Sequence, residues 1–189
     1  MDPLLIEIPA EFETERMTVR TARPGDGRAV NNAIRESLAE LQPWMIWAKA
    51  MPTVEETEAH GRQAHAKFHA REDLHYRGWL KGTDTLAVAS GLHRIDWAVP
   101  KFEIGYWVRT PLAGQGYVSE MVHALRAMAF ETLNAERVEI RCDNANERSW
   151  RVAERCGFTL EGVLRRDSRA PDGSVRDTRV YARVRAAGN

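Results

Sequence analysis

Apolar and polar positions change period several times along this chain, and each change marks an element. Val138, Ile140 and Cys142 alternate with Arg137, Glu139 and Arg141, which predicts a strand over 137–142 with one buried face. Val118, Met121, Val122, Leu125, Met128 and Ala129 recur at helical spacing, which predicts a helix over 117–132. Further strands are expected at 16–22, at 74–81 and 85–96 joined by Gly82-Thr83-Asp84, and at 102–109. Two more, 158–167 and 175–184, are joined by Ala170-Pro171-Asp172-Gly173. A helix follows Asp26, a candidate cap, as far as Glu40, and Thr53 with Glu56 forms a capping-box pattern for a helix running toward Arg71. A last helix, 146–155, stops at Gly157.

This order predicts an α/β fold, a mixed sheet with helices on both faces, and 189 residues suit one domain spanning 1–189. The 27 basic side chains equal the 27 acidic ones, so no net field draws in nucleic acid. The arginines between Arg165 and Arg185 read as solvated strand faces. No apolar run is long enough to span a bilayer and no leader pattern is present, so a soluble cytoplasmic protein with no membrane partner is expected. Cys142 and Cys156 are not a Cys-x-x-Cys pair and read as buried thiols. His65 and His69 share a helix face without a third ligand, so no metal is expected.

The chemistry concentrates between the strand at 102–109 and the helix at 117. There Ala113-Gly114-Gln115-Gly116-Tyr117-Val118 places two glycines before a helix start. Such glycines adopt angles closed to other residues, so consecutive N–H groups and the helix's positive end converge on one anion. A P-loop is excluded, because Tyr117 and Val118 stand where Lys and Ser/Thr are needed. A dinucleotide fingerprint is excluded by Ser119 in place of its third glycine.

A second block runs Asn146-Glu147-Arg148-Ser149, then Gly157-Phe158 and Glu161-Gly162. With Glu103-Ile104-Gly105-Tyr106-Trp107, the Gly-x-Gly loop and Pro43-Trp44-Met45-Ile46-Trp47, it resembles the GNAT superfamily of acetyl-coenzyme A-dependent N-acetyltransferases. Within that superfamily it is similar to the RimJ/RimL branch, which acetylates ribosomal-protein N-termini. Two positions depart from the family loop: Ala113 stands where Gln or Arg is usual, and Val118 where a small residue is. The resemblance implies the GNAT fold, with a central, mostly antiparallel sheet splayed between strands 102–109 and 137–142. It also implies acetyl-CoA (coenzyme A) as cofactor and no covalent enzyme intermediate.

On that reading Ala113, Gly114, Gln115, Gly116, Tyr117 and Val118 cradle the diphosphate, while Tyr106, Trp107 and Val108 pair with the pantetheine arm as an added strand would. The Val108 N–H faces the oxyanion. Asn146 binds the pantetheine or caps its helix, and Ser149 protonates the leaving thiolate or is an ordinary first-turn serine. For base-side work the candidates are Glu103 and Asp167, the latter with Ser168 one residue away, and water without a base is the remaining option. Trp44 and Trp47 wall the acceptor cleft or anchor the core. The acceptor implied is a protein α-amino group. The alternatives are a small amine, such as an antibiotic or amino-acid conjugate in self-protection, and a non-catalytic acyl-CoA-binding protein. Family habit allows monomer or homodimer.

Overall fold

The computed structural model describes residues 2–186. Eight strands form one sheet: β1 (Glu11–Glu13), β2 (Met17–Thr21), β3 (Leu74–Leu80), β4 (Leu86–Asp96), β5 (Lys101–Val108), β6 (Arg137–Asp143), β7 (Thr159–Arg169) and β8 (Val175–Val184). The helices are α1 (Gly27–Leu41), α2 (Val54–His69), α3 (Tyr117–Glu131) and α4 (Glu147–Arg155). Strand order is β1-β2-β3-β4-β5-β6-β8-β7. All neighbours are antiparallel except β5 and β6.

That parallel pair is short. Lys101, Phe102 and Glu103 sit opposite Arg137, Val138 and Glu139, and the ladder ends there. β5 stays paired with β4 to Val108 and β6 with β8 to Asp143, so β5 and β6 part beyond Glu103 and leave a wedge. The expected splay is therefore observed, and the mixed sheet carries helices on both faces. The larger core lies under α3 and α4: Met121, Val122, Leu125 and Ala129 pack with Ile104, Ile140, Val152 and Tyr181. Each large side chain buried there contributes about 1.5–3 kcal/mol relative to exposure. The opposite face, under α1 and α2, has a smaller apolar cluster of Val30, Ala33, Ile34, Trp79 and Leu86. Ionisable side chains occupy much of the rest.

The capping box forms as the spacing predicts. The Thr53 hydroxyl accepts the Glu56 N–H at 3.0 Å, and the Glu56 carboxylate accepts the Thr53 N–H at 2.8 Å. Gly157, at φ 76°, closes α4. Asp26 differs from expectation. It precedes α1, but its side chain makes no capping bond. Its carboxylate instead accepts from Arg20 at 2.8 Å, from the Arg23 N–H at 2.8 Å and from Arg77 at 2.9 Å. Burial opposes that charge, but the Arg20 and Arg23 hydrogen bonds and the nearby Arg77 outweigh it and hold the carboxyl below the ordinary carboxylate range. Two almost fully buried charges thus stabilise each other, and the two guanidiniums together with the Arg23 N–H take the carboxylate that a cap would have offered to the first turn of α1. Strand β1 is a further difference: its three residues are too few to give a period.

Candidate active site

Strand β5 divides two cavities. The first, about 650 Å³, opens on the α3/α4 side and is lined by Tyr106–Val108, Leu112–Gly114, Gly116–Ser119, Asn146 and Ser149. Gly114 and Gly116 have φ of 76° and 86°, angles that L side chains rarely adopt. A Cβ on Gly114 would meet nothing within 4 Å, so the loop surface there is bare backbone. Gly116 also begins α3, whose unpaired N–H groups point out of its first turn. Arg16 pins the loop from behind: it donates to the Gln115 carbonyl at 2.8 Å, pairs with Glu120 at 2.7 Å and stacks on Tyr117 at 4.1 Å. Three cations on α4, Arg148, Arg151 and Arg155, line the same cleft.

Backbone parity supplies the cleft's other wall. The Arg109 N–H donates to Ala87 O at 2.9 Å, so Arg109, Trp107 and Gly105 turn their backbone groups toward β4. The alternate residues, Tyr106 and Val108, turn theirs toward the open wedge. At its floor the Ser149 hydroxyl donates to the Tyr106 oxygen at 3.2 Å, and the Tyr106 hydroxyl donates to the Ser149 carbonyl at 2.9 Å. Burial pushes the Tyr106 phenol well above its ordinary range. It also pushes the Cys142 thiol up to about 11, against the pull of a hydrogen bond to Ser149. All three groups carry protons at neutral pH. Asn146 caps α4, its side chain accepting the Ser149 N–H at 3.2 Å, and so fixes the start of the helix that presents Ser149.

The second cavity, about 530 Å³, lies on the α1/α2 face and shares Met45, Tyr106 and Trp107 with the first. Its apolar wall includes Val30, Ile34 and Trp47. The Trp47 and Trp107 rings meet with centroids 6.0 Å apart. Opposite them lie His60, His75, His93, Asp73 and Arg77. His93 Nδ1 is 2.9 Å from an Asp73 oxygen, His75 lies edge to face with His60, and His75 Nδ1 is buried without a partner. Burial, with Arg77 next in effect, holds the His75 imidazole well below its ordinary range.

Residues 16–159 match the family described as Acetyltransferase (GNAT) domain. The chain belongs to the GNAT acetyltransferases. It is 32% identical to the Bacillus subtilis protein named "Putative ribosomal N-acetyltransferase YdaF" over 156 residues, which are 80% of this chain and 82% of that protein. It is 34% identical to the Escherichia coli ribosomal-protein-serine acetyltransferase over 116 residues, 59% of this chain and 64% of that one. A solved structure of RimL, the ribosomal L7/L12 alpha-N-protein acetyltransferase, in complex with coenzyme A superposes with a TM-score of 0.84 at 25% identity. It covers 94% of this chain and 97% of RimL. Acetyl-CoA is accordingly the acyl donor.

Against the GNAT expectation the residues separate cleanly. Tyr106–Val108, Ala113, Gly114, Gly116–Val118, Asn146 and Ser149 all lie on the first cleft. Gln115 lies behind it, its side chain donating to Pro111 O at 3.1 Å and its carbonyl accepting from Arg16. The two tryptophans part company: Trp44 lines the first cleft and Trp47 the second cavity. Glu103 and Asp167 line neither. Asp167 pairs with Arg141 at 3.1 Å. Glu103 Oε2 lies 3.6 Å from Arg94, buried and without a hydrogen-bond partner, and burial raises the carboxyl above the ordinary range. Among the described residues no cluster fit to hold a metal occurs, and no helix is long and apolar enough to cross a membrane. His65 Nδ1 is instead occupied by Ala22 O at 2.8 Å.

The sequence reading missed the histidine wall and the three α4 arginines. The signal for the arginines was present as Arg148, Arg151 and Arg155, spaced three and four apart on one helix face.

Proposed function

We propose that this GNAT enzyme acetylates the α-amino group of a protein N-terminus, with ribosomal proteins as the substrate class. The observation carrying this reading is the 32% identity to YdaF over 82% of that protein's length. The RimL likeness over nearly the whole chain supports it.

The bare loop surface at Gly114, the start of α3 and the α4 arginines fit an acyl carrier with a diphosphate. In this proposal Ala113–Val118 hold that diphosphate, and Tyr106–Val108 hold the pantetheine arm by backbone pairing. Acetyl-CoA supplies an activated thioester when bound. The Val108 N–H stabilises negative charge developing on the acyl oxygen. Ser149, hydrogen-bonded to Tyr106, is placed to protonate the sulfur as it leaves. Asn146 positions Ser149, and Trp47 bounds the path of the incoming amine. Holding both reactants in place supplies much of the rate, up to about 7–11 kcal/mol in favourable systems.

A panel of N-terminal peptides of ribosomal proteins, run beside small primary amines with thiol release as the readout, tests the acceptor. Peptides are expected to turn over at least tenfold better in kcat/KM. Turnover of small amines alone overturns the reading.

A further inference from the structure

The reaction needs a group that takes a proton from the amine, and neither expected carboxylate faces a cavity. The acceptor cavity holds one that does. His93 on β4 lies on the same sheet face as Gly91 and Gly105, and the missing side chains there make room for its ring. A Cβ on Gly91 would sit 2.7 Å from His93 Cε1 and 2.9 Å from Nε2, and one on Gly105 would sit 3.2 Å from Cδ2. The imidazole therefore lies flat over the two glycines. It leans along the sheet from the Glu103 level toward Trp107, where the two cavities join.

Asp73 fixes the ring. Both of its oxygens stand within hydrogen-bond distance of Nδ1, at 3.0 and 2.9 Å, and a carboxylate can only accept there. The proton is then on Nδ1, which leaves the lone pair on Nε2, the nitrogen that lies over Gly91 and Gly105 on a residue lining the cavity. A carboxylate that selects the tautomer and leaves the far nitrogen basic is the arrangement general-base catalysis uses. The charged and titratable groups around the ring are Asp73 before β3, His75 and Arg77 on β3, Glu56, His60 and Lys67 on α2, Arg94 next to it on β4, and Glu103 across on β5.

The geometry points to His93 as the general base of acetyl transfer, with Asp73 as its positioning residue. Nε2 takes the proton that the amine nitrogen loses as the N–C bond forms, directly or through one water. The C–S bond breaks, the sulfur receives the Ser149 proton, and both side chains return to their starting states by exchange with solvent. This rests on acetyl transfer by the cleft and holds for whichever amine is the acceptor.

His93→Gln is the main test, measured on the best acceptor from either arm of the amine panel. The expected result is a fall of about 100-fold in kcat/KM for the amine, with acetyl-CoA affinity unchanged. The acid limb of the pH profile should drop from a slope of two protons, one from the substrate ammonium and one from the imidazole, to a slope of one. Asp73→Asn should lower kcat by about tenfold, while Asp73→Glu recovers most of it. Independently of any acceptor, nitrogen NMR of the wild-type ring should show the Nδ1–H tautomer, lost in Asp73→Asn. A His93→Gln enzyme within threefold of wild type, or an Nε2–H tautomer in the wild type, overturns the assignment while leaving the acceptor class untouched.

Discussion

On the first cleft's side of Trp107 the strand and loop present backbone: Tyr106 and Val108 amides turned into the wedge, two glycines at positive φ, and the start of α3, with the cleft's cations, Arg148, Arg151 and Arg155, confined to α4. On the acceptor side the walls are side chains, contributed by α1, α2, β3, β4 and β5, several of them ionisable. The first surface has no side-chain charge of its own in the loop and presents N–H groups to a ligand whose shape is constant. The second is a set of replaceable side chains over two bare glycines. On the proposed assignment of donor to the first cleft and acceptor to the second, that division lets side-chain substitutions retune the acceptor cavity while the backbone loop of the other stays in place. The division also implies opposite vulnerabilities: the backbone wall is damaged by adding atoms, the side-chain wall by removing them.

Adding atoms at Gly116 is therefore the most damaging single change. Gly116→Glu forces a side chain into φ 86°, which costs about 1–2 kcal/mol, and starts it 3.4 Å from Arg16 Nη2, so the new carboxylate draws that guanidinium off the Gln115 carbonyl and Glu120 and distorts the loop proposed to hold the diphosphate. Acetyl-CoA affinity measured by calorimetry should fall about 1,000-fold, roughly 4 kcal/mol. Affinity within tenfold of wild type would break the backbone half of the comparison.

Removing charge beneath the acceptor wall comes next. Asp26→Asn leaves Arg77, whose side chain is 2% exposed, without its carboxylate partner. Stranding a buried charge costs about 3 kcal/mol or more, read as a lower urea midpoint. Arg77 also stands beside His60 and His75 on the cavity wall, so acceptor KM should rise while acetyl-CoA affinity holds.

The histidine wall makes the acceptor side sensitive to acid. Buried His75 binds its proton less readily in the folded state than an unfolded histidine does, which titrates near 6.5. Below about pH 6.5 the unfolded chain therefore takes up the proton first, and stability falls as pH drops. The slope is at most about 1.4 kcal/mol per pH unit per group, continuing down to the depressed folded value. His60, lowered mainly by burial, acts in the same direction. Urea melts at pH 7.5 and 5.5 should show this loss in the wild type and a smaller one in His75→Gln. Equal losses would place the acid sensitivity elsewhere.

The same contrast decides what could be read from the sequence. The cofactor loop, the α3 stripe, the Thr53–Glu56 box and the alternation in β6 are local patterns, complete within about fifteen residues. Each signals its structure without knowledge of the partner strand. The His93–Asp73 pair is not local. Its members are 20 positions apart and meet only because the β3–β4 register sets Leu74 against Leu92. The turn at Gly82–Asp84 sets Leu80 against Thr85 and Trp79 against Leu86, but a bulge between Gly78 and Trp79 then shifts the register by one, so pairing the two strands on paper would have set Asp73 beside Leu92 rather than His93. Which face they shared, and that Gly91 and Gly105 left space for a ring, depends on packing from α2. Asp26 was misread for a related reason: a cap is the local option, and two arginines from β2 and β3 supplied a stronger distant one.

The smallest expected effect tests the boundary between the two halves. Trp44 and Trp47 are three residues apart, yet Trp44 lines the first cleft, the proposed donor site, and Trp47 the second cavity, the proposed acceptor site. Trp47 is 47% exposed and tilts against Trp107, an aromatic contact worth about 0.5–1.5 kcal/mol. With half the ring in solvent the lower end applies, so Trp47→Ala should raise acceptor KM by about threefold and leave acetyl-CoA affinity unchanged. Trp44→Ala should do the reverse, weakening acetyl-CoA and sparing the acceptor. Steady-state constants for both substrates in both variants give a crossed pattern if the cavities are independent. If each substitution moves both constants together, the segment from Trp44 to Trp47 acts as one body, and the donor and acceptor sides are coupled through it.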